Sequence, residues 1–231
     1  GGHHLGNMTG EWRPPDLLNR FTQYDTKSES MYVRCAPTAA VAAAAISGAE
    51  AFERLTRNLR FRIVRAATGE DMGAKGTDRR SAKDAEETLT RILSRIENRT
   101  VTREDMGTVA ELLAHTYQSN LALGASKEAA SAMMELGAAG SRSTAANPAD
   151  SGQFRDWVSR ELKPREVVRS SGDIDGDQDG DTVSNHAVLI GKDAGGREFL
   201  YDPYPKSGGG SHPQLVYRDE HPDQYDYYFD K

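Results

Sequence analysis

The sequence lacks three features that would each point to a class of protein. Only one of its 231 residues is a cysteine, so the chain cannot form an internal disulfide and Cys35 carries a free thiol. No apolar run approaches the ~20 residues of a membrane-spanning helix, since the longest, from Val41 to Ile46, is mostly alanine. Positive charge is not in excess either. The formal net charge is -6 and no basic stripe contains interleaved aromatic residues, which argues against nucleic acid as a partner.

Motifs for metals and cofactors are also missing from the sequence. His115 lies in a predicted helix without a Cys, His or Asp at ligand spacing, and His212 and His221 lie in loops that have no zinc-site spacing. The glycine run at 208–210 precedes a predicted strand instead of a helix, so it is not a phosphate-binding loop. We therefore expect neither a catalytic metal nor a cofactor.

The acidic tract at 173–181 has part of the spacing of a calcium site. Its alternate aspartates and Gly180 fit the first positions of an EF-hand loop, but His186 stands where that loop ends in a bidentate glutamate. No pair of flanking helices is predicted. We interpret the tract as a solvated, self-repelling loop that borders a substrate cleft beside His186, and the sequence leaves calcium binding open.

Hydrophobic periodicity predicts a helical first part of the chain. Residues 1–15 are predicted to be an extended lead-in, whose opening Gly-Gly-His-His resembles a truncated tag, and 16–231 a single domain. The alanine-rich stretch that starts at the cysteine predicts a central helix packed closely on several sides. A helical insertion is expected at about 60–150, with its last amphipathic helix beginning at Ser126 and a loop at 138–152.

The last third of the sequence predicts an antiparallel sheet. Its four predicted strands lie at 167–168, 187–190, 198–201 and 214–217, and a glycine-containing turn at 192–196 joins the middle two as a hairpin. Helices followed by a segregated antiparallel sheet are typical of the α+β class.

Cys35 stands directly before the alanine-rich helix. The unpaired backbone N–H groups and the dipole of a helix N-terminus favour negative charge, and the thiolate is the form of cysteine that attacks a carbonyl. A buried cysteine that only fills the core is the alternative. Such a cysteine would more naturally lie within the apolar helix than at its polar start, so we predict that Cys35 is a nucleophile.

His186 and Asp202 lie at the two ends of the predicted hairpin. His186 immediately precedes its first strand and Asp202 follows its second, so an antiparallel pairing brings both to the same edge of the sheet. A carboxylate at that position can accept the imidazole N–H, fix its tautomer and stabilise the imidazolium ion. A histidine satisfied within the core is the alternative interpretation. Pro203 donates no hydrogen bond and would end the strand there.

Three motifs in this order resemble the papain-like superfamily of cysteine peptidases. They are Cys-Ala-Pro-Thr-Ala at 35–39, Asn-His followed by an apolar strand at 185–191, and Tyr-Asp-Pro at 201–203. The likeness is greatest to the bacterial branch that includes the bacteriocin-leader (double-glycine) peptidases, in which glycine commonly occupies the position of Ala36. The two blocks leave the long middle of the chain unmatched.

The resemblance implies a papain-like fold and a role for four residues. Cys35 would be the nucleophile, His186 the general base and acid, and Asp202 the residue that orients the histidine. The superfamily also has a glutamine upstream of the cysteine that helps to bind the oxyanion, and Gln23 is the only glutamine ahead of Cys35. The interval between them is longer than the superfamily pattern.

The sequence therefore predicts a thiol hydrolase that cleaves a peptide or isopeptide bond in a protein or peptide substrate through an acyl-enzyme. Glutamine deamidation, transglutamination and acyl transfer use the same triad and stay open, as does a non-enzymatic binding module with a papain-like fold. The long helical insertion indicates a specialised partner surface, as in secreted bacterial effectors and toxin domains. The sequence leaves the substrate, localisation and oligomeric state undetermined.

Overall fold

The computed structural model describes seven segments of the chain, namely residues 11–26, 35–67, 82–122, 141–145, 151–171, 187–204 and 214–227. Their helices are α1 (Pro14–Leu18), a 3₁₀ turn (Gln23–Asp25), α2 (Cys35–Ser47), α3 (Ala49–Ala67), α4 (Ala82–Glu97), α5 (Arg103–Ala122), α6 (Ser151–Glu161) and α7 (Pro222–Tyr227). Their strands are β1 (Ser141–Ala145), β2 (Val167–Ser171), β3 (Ala187–Lys192), β4 (Glu198–Tyr201) and β5 (Leu215–Tyr217).

The strands form one sheet in the order β1-β2-β3-β4-β5. The pairs β2–β3, β3–β4 and β4–β5 are antiparallel, with Leu189 opposite Tyr201 in the β3–β4 hairpin. The predicted α+β class, the four antiparallel strands and the hairpin are confirmed. The loop predicted at 138–152 is wrong in part, because 141–145 is an edge strand parallel to β2 and α6 begins at Ser151.

Helix α2 lies at the centre of the helical part, as predicted. All of its residues except Ala36 are buried, and it packs against α3, α5 and β3. Alanine side chains make this possible because they let neighbouring elements approach the helix closely on several sides. Gly48 separates α2 from α3, and its φ of 131° lies in the region that favours glycine.

The sheet separates two hydrophobic clusters. Leu189, Phe199 and Tyr201 belong to the large cluster that also contains the helices from α1 to α5. Their neighbours Val188, Ile190 and Leu200 belong to the second cluster, with residues of α6 and α7. This alternation follows the period of two along a strand and places helices on both faces of the sheet.

The predicted insertion is part of the main core. Val109 and Leu112 of α5 are fully buried in the cluster that contains α2. Its N-terminus is capped, because Thr102 Oγ1 accepts the N–H of Asp105 at 3.2 Å and Asp105 Oδ2 accepts the N–H of Thr102 at 3.1 Å. The helix predicted from Ser126 lies outside the described residues.

The predicted lead-in also packs on the domain. Trp12 Nε1 donates a hydrogen bond to the carbonyl of Ala45 at 2.6 Å, and its ring lies 5.8 Å from that of Phe52. Helix α1 begins at Pro14, within the predicted lead-in, because proline is well suited to the first helical turn.

Gly107 provides a test of how closely α5 packs against the 3₁₀ turn. A Cβ atom at this position would collide with the backbone carbonyl oxygen of Asp25, which no side-chain rotation can relieve. We expect Gly107→Ala to lower the free energy of unfolding by about 1–3 kcal/mol, despite the better helix propensity of alanine. Thermal or urea unfolding monitored by circular dichroism measures this change.

Gly152→Ala is the matched control, since a Cβ atom at this helical position meets nothing within 4 Å. Its stability should be unchanged or slightly higher. Equal effects of the two substitutions would contradict the close approach of α5 to the 3₁₀ turn.

Candidate functional site

The 3₁₀ turn that carries Gln23 is held by its own side chains. Thr22 Oγ1 accepts the N–H of Tyr24 at 3.2 Å, and Asp25 Oδ2 accepts the N–H of Thr22 at 2.9 Å. This is a capping box, which satisfies backbone donors that the turn leaves unpaired. Together with the contact from Gly107, it fixes the backbone of Gln23.

Hydrogen bonds connect this turn and the residues just before it to the end of β4. The N–H of Gln23 donates to the carbonyl of Pro203 at 2.7 Å, and the hydroxyl of Tyr201 donates to the carbonyl of Phe21 at 2.6 Å. Burial raises the pKa of Tyr201 well above its ordinary value, and the charge of Asp202 raises it further. The phenol therefore stays neutral and keeps its role as a donor.

The same turn is tied to the beginning of α2. The hydroxyl groups of Thr26 and Thr38 form a buried hydrogen bond of 2.7 Å. Thr38 lies three residues after Cys35, so the two share a face of the helix. The start of α2 and the end of β4 are thus joined through one short segment, from Gln23 to Thr26.

Cys35 is the first residue of α2, as the sequence predicts, and is 6% exposed. Its sulfur atom and its backbone N–H therefore lie at the N-terminal end of this helix.

Asp202 is fully buried directly after β4. Its Oδ1 accepts the N–H of Tyr204 at 2.8 Å, which closes a turn around Pro203 and holds the carboxylate in one orientation. Gln214 holds the backbone of the same residue: its carbonyl accepts the N–H of Asp202 at 3.1 Å, and its Nε2 donates to the carbonyl of Asp202 at 2.6 Å.

The side chain of Gln23 is buried with an unused polar atom. It is 8% exposed, and within the described part of the structure its Oε1 accepts no hydrogen bond. An unpaired buried polar group costs about 1–3 kcal/mol. A half-turn about the last side-chain bond exchanges this oxygen for the NH₂ group, so the same position can present a donor.

His186 lies outside the described residues, and so does the acidic tract at 173–181. Strand β3 begins at Ala187, the residue that follows His186. Because Leu189 pairs with Tyr201 in an antiparallel ladder, the beginning of β3 and the residues after Tyr201 lie at the same edge of the sheet. The contacts predicted for His186 stay a prediction.

The two histidines among the described residues, His115 and His221, lie elsewhere. His115 is buried in α5 with its Nε2 3.9 Å from Oε1 of Glu111. His221 follows β5 at the opposite end of the sheet from Asp202, where its backbone N–H donates to the carbonyl of Tyr217. His212 is not among the described residues. The described segments contain no group of three His, Cys, Asp or Glu residues arranged to hold a metal ion.

Sequence reasoning missed the residues that position the site. Gln214 is the first residue of a predicted strand, and pairing that strand with β4 would have placed it beside Asp202. Thr26 gave no such signal, because it belongs to no motif. Thr38 lies within the Cys-Ala-Pro-Thr-Ala motif, but nothing local predicts its contact with Thr26, which joins two separate segments.

Gln214→Met tests the support of Asp202. It keeps the length of the side chain and removes the donor to the Asp202 carbonyl, so we expect the free energy of unfolding to fall by about 1–2 kcal/mol. Urea unfolding with linear extrapolation measures this. Gln153→Met is the control at an exposed position of α6 and should change little. A stable Gln214→Met variant would show that this hydrogen bond contributes nothing.

Comparison of the chain with models of known families, with curated proteins and with solved structures finds no match. Among the described helices, none is both long enough and apolar enough to cross a membrane.

Proposed function

We propose that the chain is a papain-like thiol hydrolase that cleaves a peptide or isopeptide bond. Cys35 acts as the nucleophile, His186 as general base and acid, Asp202 as the residue that orients His186, and Gln23 as a donor to the oxyanion. The observation that carries the proposal is the segment from Gln23 to Thr26, which is bonded both to the first turn of α2 and to Pro203.

The proposed reaction begins with attack of the Cys35 thiolate on the substrate carbonyl. The negative charge that develops on the carbonyl oxygen is stabilised by the backbone N–H of Cys35 and the side-chain amide of Gln23. His186 then protonates the leaving amine, which leaves an acyl group on the sulfur atom. Water, activated by His186, releases the product and restores the thiol.

The geometry of Asp202 supports its proposed role. An orienting carboxylate must keep one conformation, and the bond from the N–H of Tyr204 to Oδ1 restricts its rotation. Full burial also strengthens the attraction between this carboxylate and an imidazolium ion, since the surroundings screen it less than water does.

The position of the unpaired side-chain oxygen of Gln23 supports the proposed oxyanion site. Buried polar groups without a partner are uncommon in folded proteins, and a ligand is one explanation for them. When the amide is turned so that its NH₂ group takes the place of Oε1, a carbonyl oxygen that becomes an oxyanion would accept a hydrogen bond from it, and the interaction would strengthen as charge develops.

The burial of Cys35 is the observation that favours the alternative, a binding module in which this cysteine fills the core. Deamidation, transglutamination and acyl transfer share the proposed acyl-enzyme and differ only in the substrate amide and in the acceptor that resolves it. The arrangement of the triad therefore does not distinguish these reactions, and their products do.

Alkylation by iodoacetamide tests whether Cys35 is a nucleophile. Because the chain has a single cysteine, the rate in the folded protein can be compared directly with the rate of the same thiol in the unfolded chain. At neutral pH we expect folded protein to react about tenfold faster than the same chain unfolded in urea, because an ordinary thiol is only a few per cent ionised. His186→Ala should lose this acceleration, whereas His221→Ala, which removes a histidine at the other end of the sheet, should keep it. Intact mass spectrometry follows the labelling.

An alkylation rate no higher than that of the unfolded chain, and unchanged in His186→Ala, would eliminate the catalytic role of Cys35. The binding module would then be the better account of the fold.

Cys35→Ala separates a catalytic cysteine from a packing one. We expect this variant to unfold cooperatively, with a loss of about 1 kcal/mol for the small side chain removed, and to form no acyl-enzyme. Circular dichroism and intact mass after incubation with peptide substrates measure the two properties. The substrate masses also distinguish cleavage, deamidation and cross-linking. Global unfolding of Cys35→Ala would support the packing role instead.

A further inference from the structure

Two tyrosines lie beside the proposed site with their rings close to each other. Tyr24 is 50% exposed and Tyr204 is half-buried, and their ring centroids are 6.4 Å apart with planes inclined at 56°. Among the described residues, Tyr24 and Phe61 of α3 are the only large hydrophobic side chains that are exposed. An exposed aromatic ring is unremarkable alone, but a pair beside a candidate site is not.

Backbone hydrogen bonds hold both rings beside the site residues. Tyr24 follows Gln23, whose N–H donates to the carbonyl of Pro203 at 2.7 Å. Tyr204 follows Pro203, and its own N–H donates to Oδ1 of Asp202 at 2.8 Å. The ring pair therefore spans the same junction that joins the proposed oxyanion donor to the proposed orienting carboxylate.

The two described carboxylates next to the pair are either paired or buried. Asp25, next to Tyr24, accepts the N–H of Thr22 and lies 3.7 Å from Nε of Arg103. Asp202, two residues before Tyr204, is fully buried and presents no carboxylate to the surface. A charged substrate side chain would find no unpaired opposite charge in these groups, so the surface is better suited to an apolar one.

From these observations we infer that Tyr24 and Tyr204 form the subsite that receives an apolar or aromatic side chain of a peptide substrate, within two residues of the scissile bond. The inference rests on the proposed function. Tyrosine rings supply a large contact area with few rotatable bonds, and an inclined pair offers one side chain both a face and an edge. The two rings would select the substrate, and the triad would act on its amide.

Peptidyl chloromethyl ketones test the subsite without knowledge of the natural substrate. The Cys35 sulfur displaces chloride from the methylene carbon and forms a thioether, so intact mass reports the rate. Each probe carries two residues next to the reactive carbon. In the first series Leu, Phe, Asp or Lys occupies the position nearest that carbon and glycine the next one, and in the second series the two positions are exchanged. Iodoacetamide has no peptide side chain and measures the nucleophile alone, and Cys35→Ala gives the background.

In one of the two series we expect the Leu and Phe probes to react faster than the Asp and Lys probes. Tyr24→Ala and Tyr204→Ala should each reduce this advantage by about three- to tenfold, while Tyr24→Phe keeps it. The rate with iodoacetamide should be unchanged in all three variants. Phe61→Ala removes the other exposed aromatic side chain and should alter neither rate.

The possible failures are distinguishable. Normal acceleration with iodoacetamide, together with equal rates for all four probes or a preference that survives both alanine substitutions, would overturn the subsite and leave the proposed function standing. A preference for the Lys or Asp probes would also overturn the inference. Iodoacetamide labelling at the rate of the unfolded chain would overturn the proposed function and the subsite with it.

Discussion

The hydrogen bond from the N–H of Gln23 to the carbonyl of Pro203 is the interaction on which the arrangement of the site depends. It joins the segment before α2 to the segment after β4, which are about as far apart in sequence as any two parts of the domain. Because the Thr26–Thr38 bond extends the same segment to α2, one short turn connects the helix that begins at Cys35 to the strand that ends before Asp202, in addition to the packing of α2 against β3. Such a contact closes a long loop, and the entropy lost must be offset by the buried core around it.

The core that offsets this loss includes helices that lie between Cys35 and β3 in the sequence. Gly107 of α5 touches the backbone of Asp25, and Val109 and Leu112 lie in the same cluster as α2. A segment expected from sequence to be an insertion therefore supports the turn that carries Gln23. Its removal would disturb the proposed site as well as any surface that it offers to a partner.

Local patterns in the sequence were enough to predict most of the elements, but not the contacts between them. The alanine run and the apolar strands of the hairpin predicted α2, β3 and β4 because their periodicity reflects burial. Strand β1 was missed because Ser-Arg-Ser-Thr-Ala has no apolar alternation and joins the sheet edge through backbone pairing with β2. Motif order suggested Cys35 and Asp202, whereas Gln214 supports the site through long-range hydrogen bonds that no local pattern encodes.

The buried amide of Gln23 bears on the choice between an enzyme and a binding module. Both require the protein to keep an unpaired polar group, at a cost of about 1–3 kcal/mol that the neighbouring hydrogen bonds must offset. In a binding module the amide, turned to present its NH₂ group, could donate a hydrogen bond to a carbonyl oxygen of the ligand. Such a module needs neither an ionised Cys35 nor an oriented histidine. The carboxylate of Asp202 closes the turn around Pro203 in either case, and in the proposed enzyme its fixed orientation would also stabilise a charge that appears during reaction. The two accounts therefore differ at Cys35 and His186, because only the proposed enzyme requires a reactive thiol and a histidine that activates it.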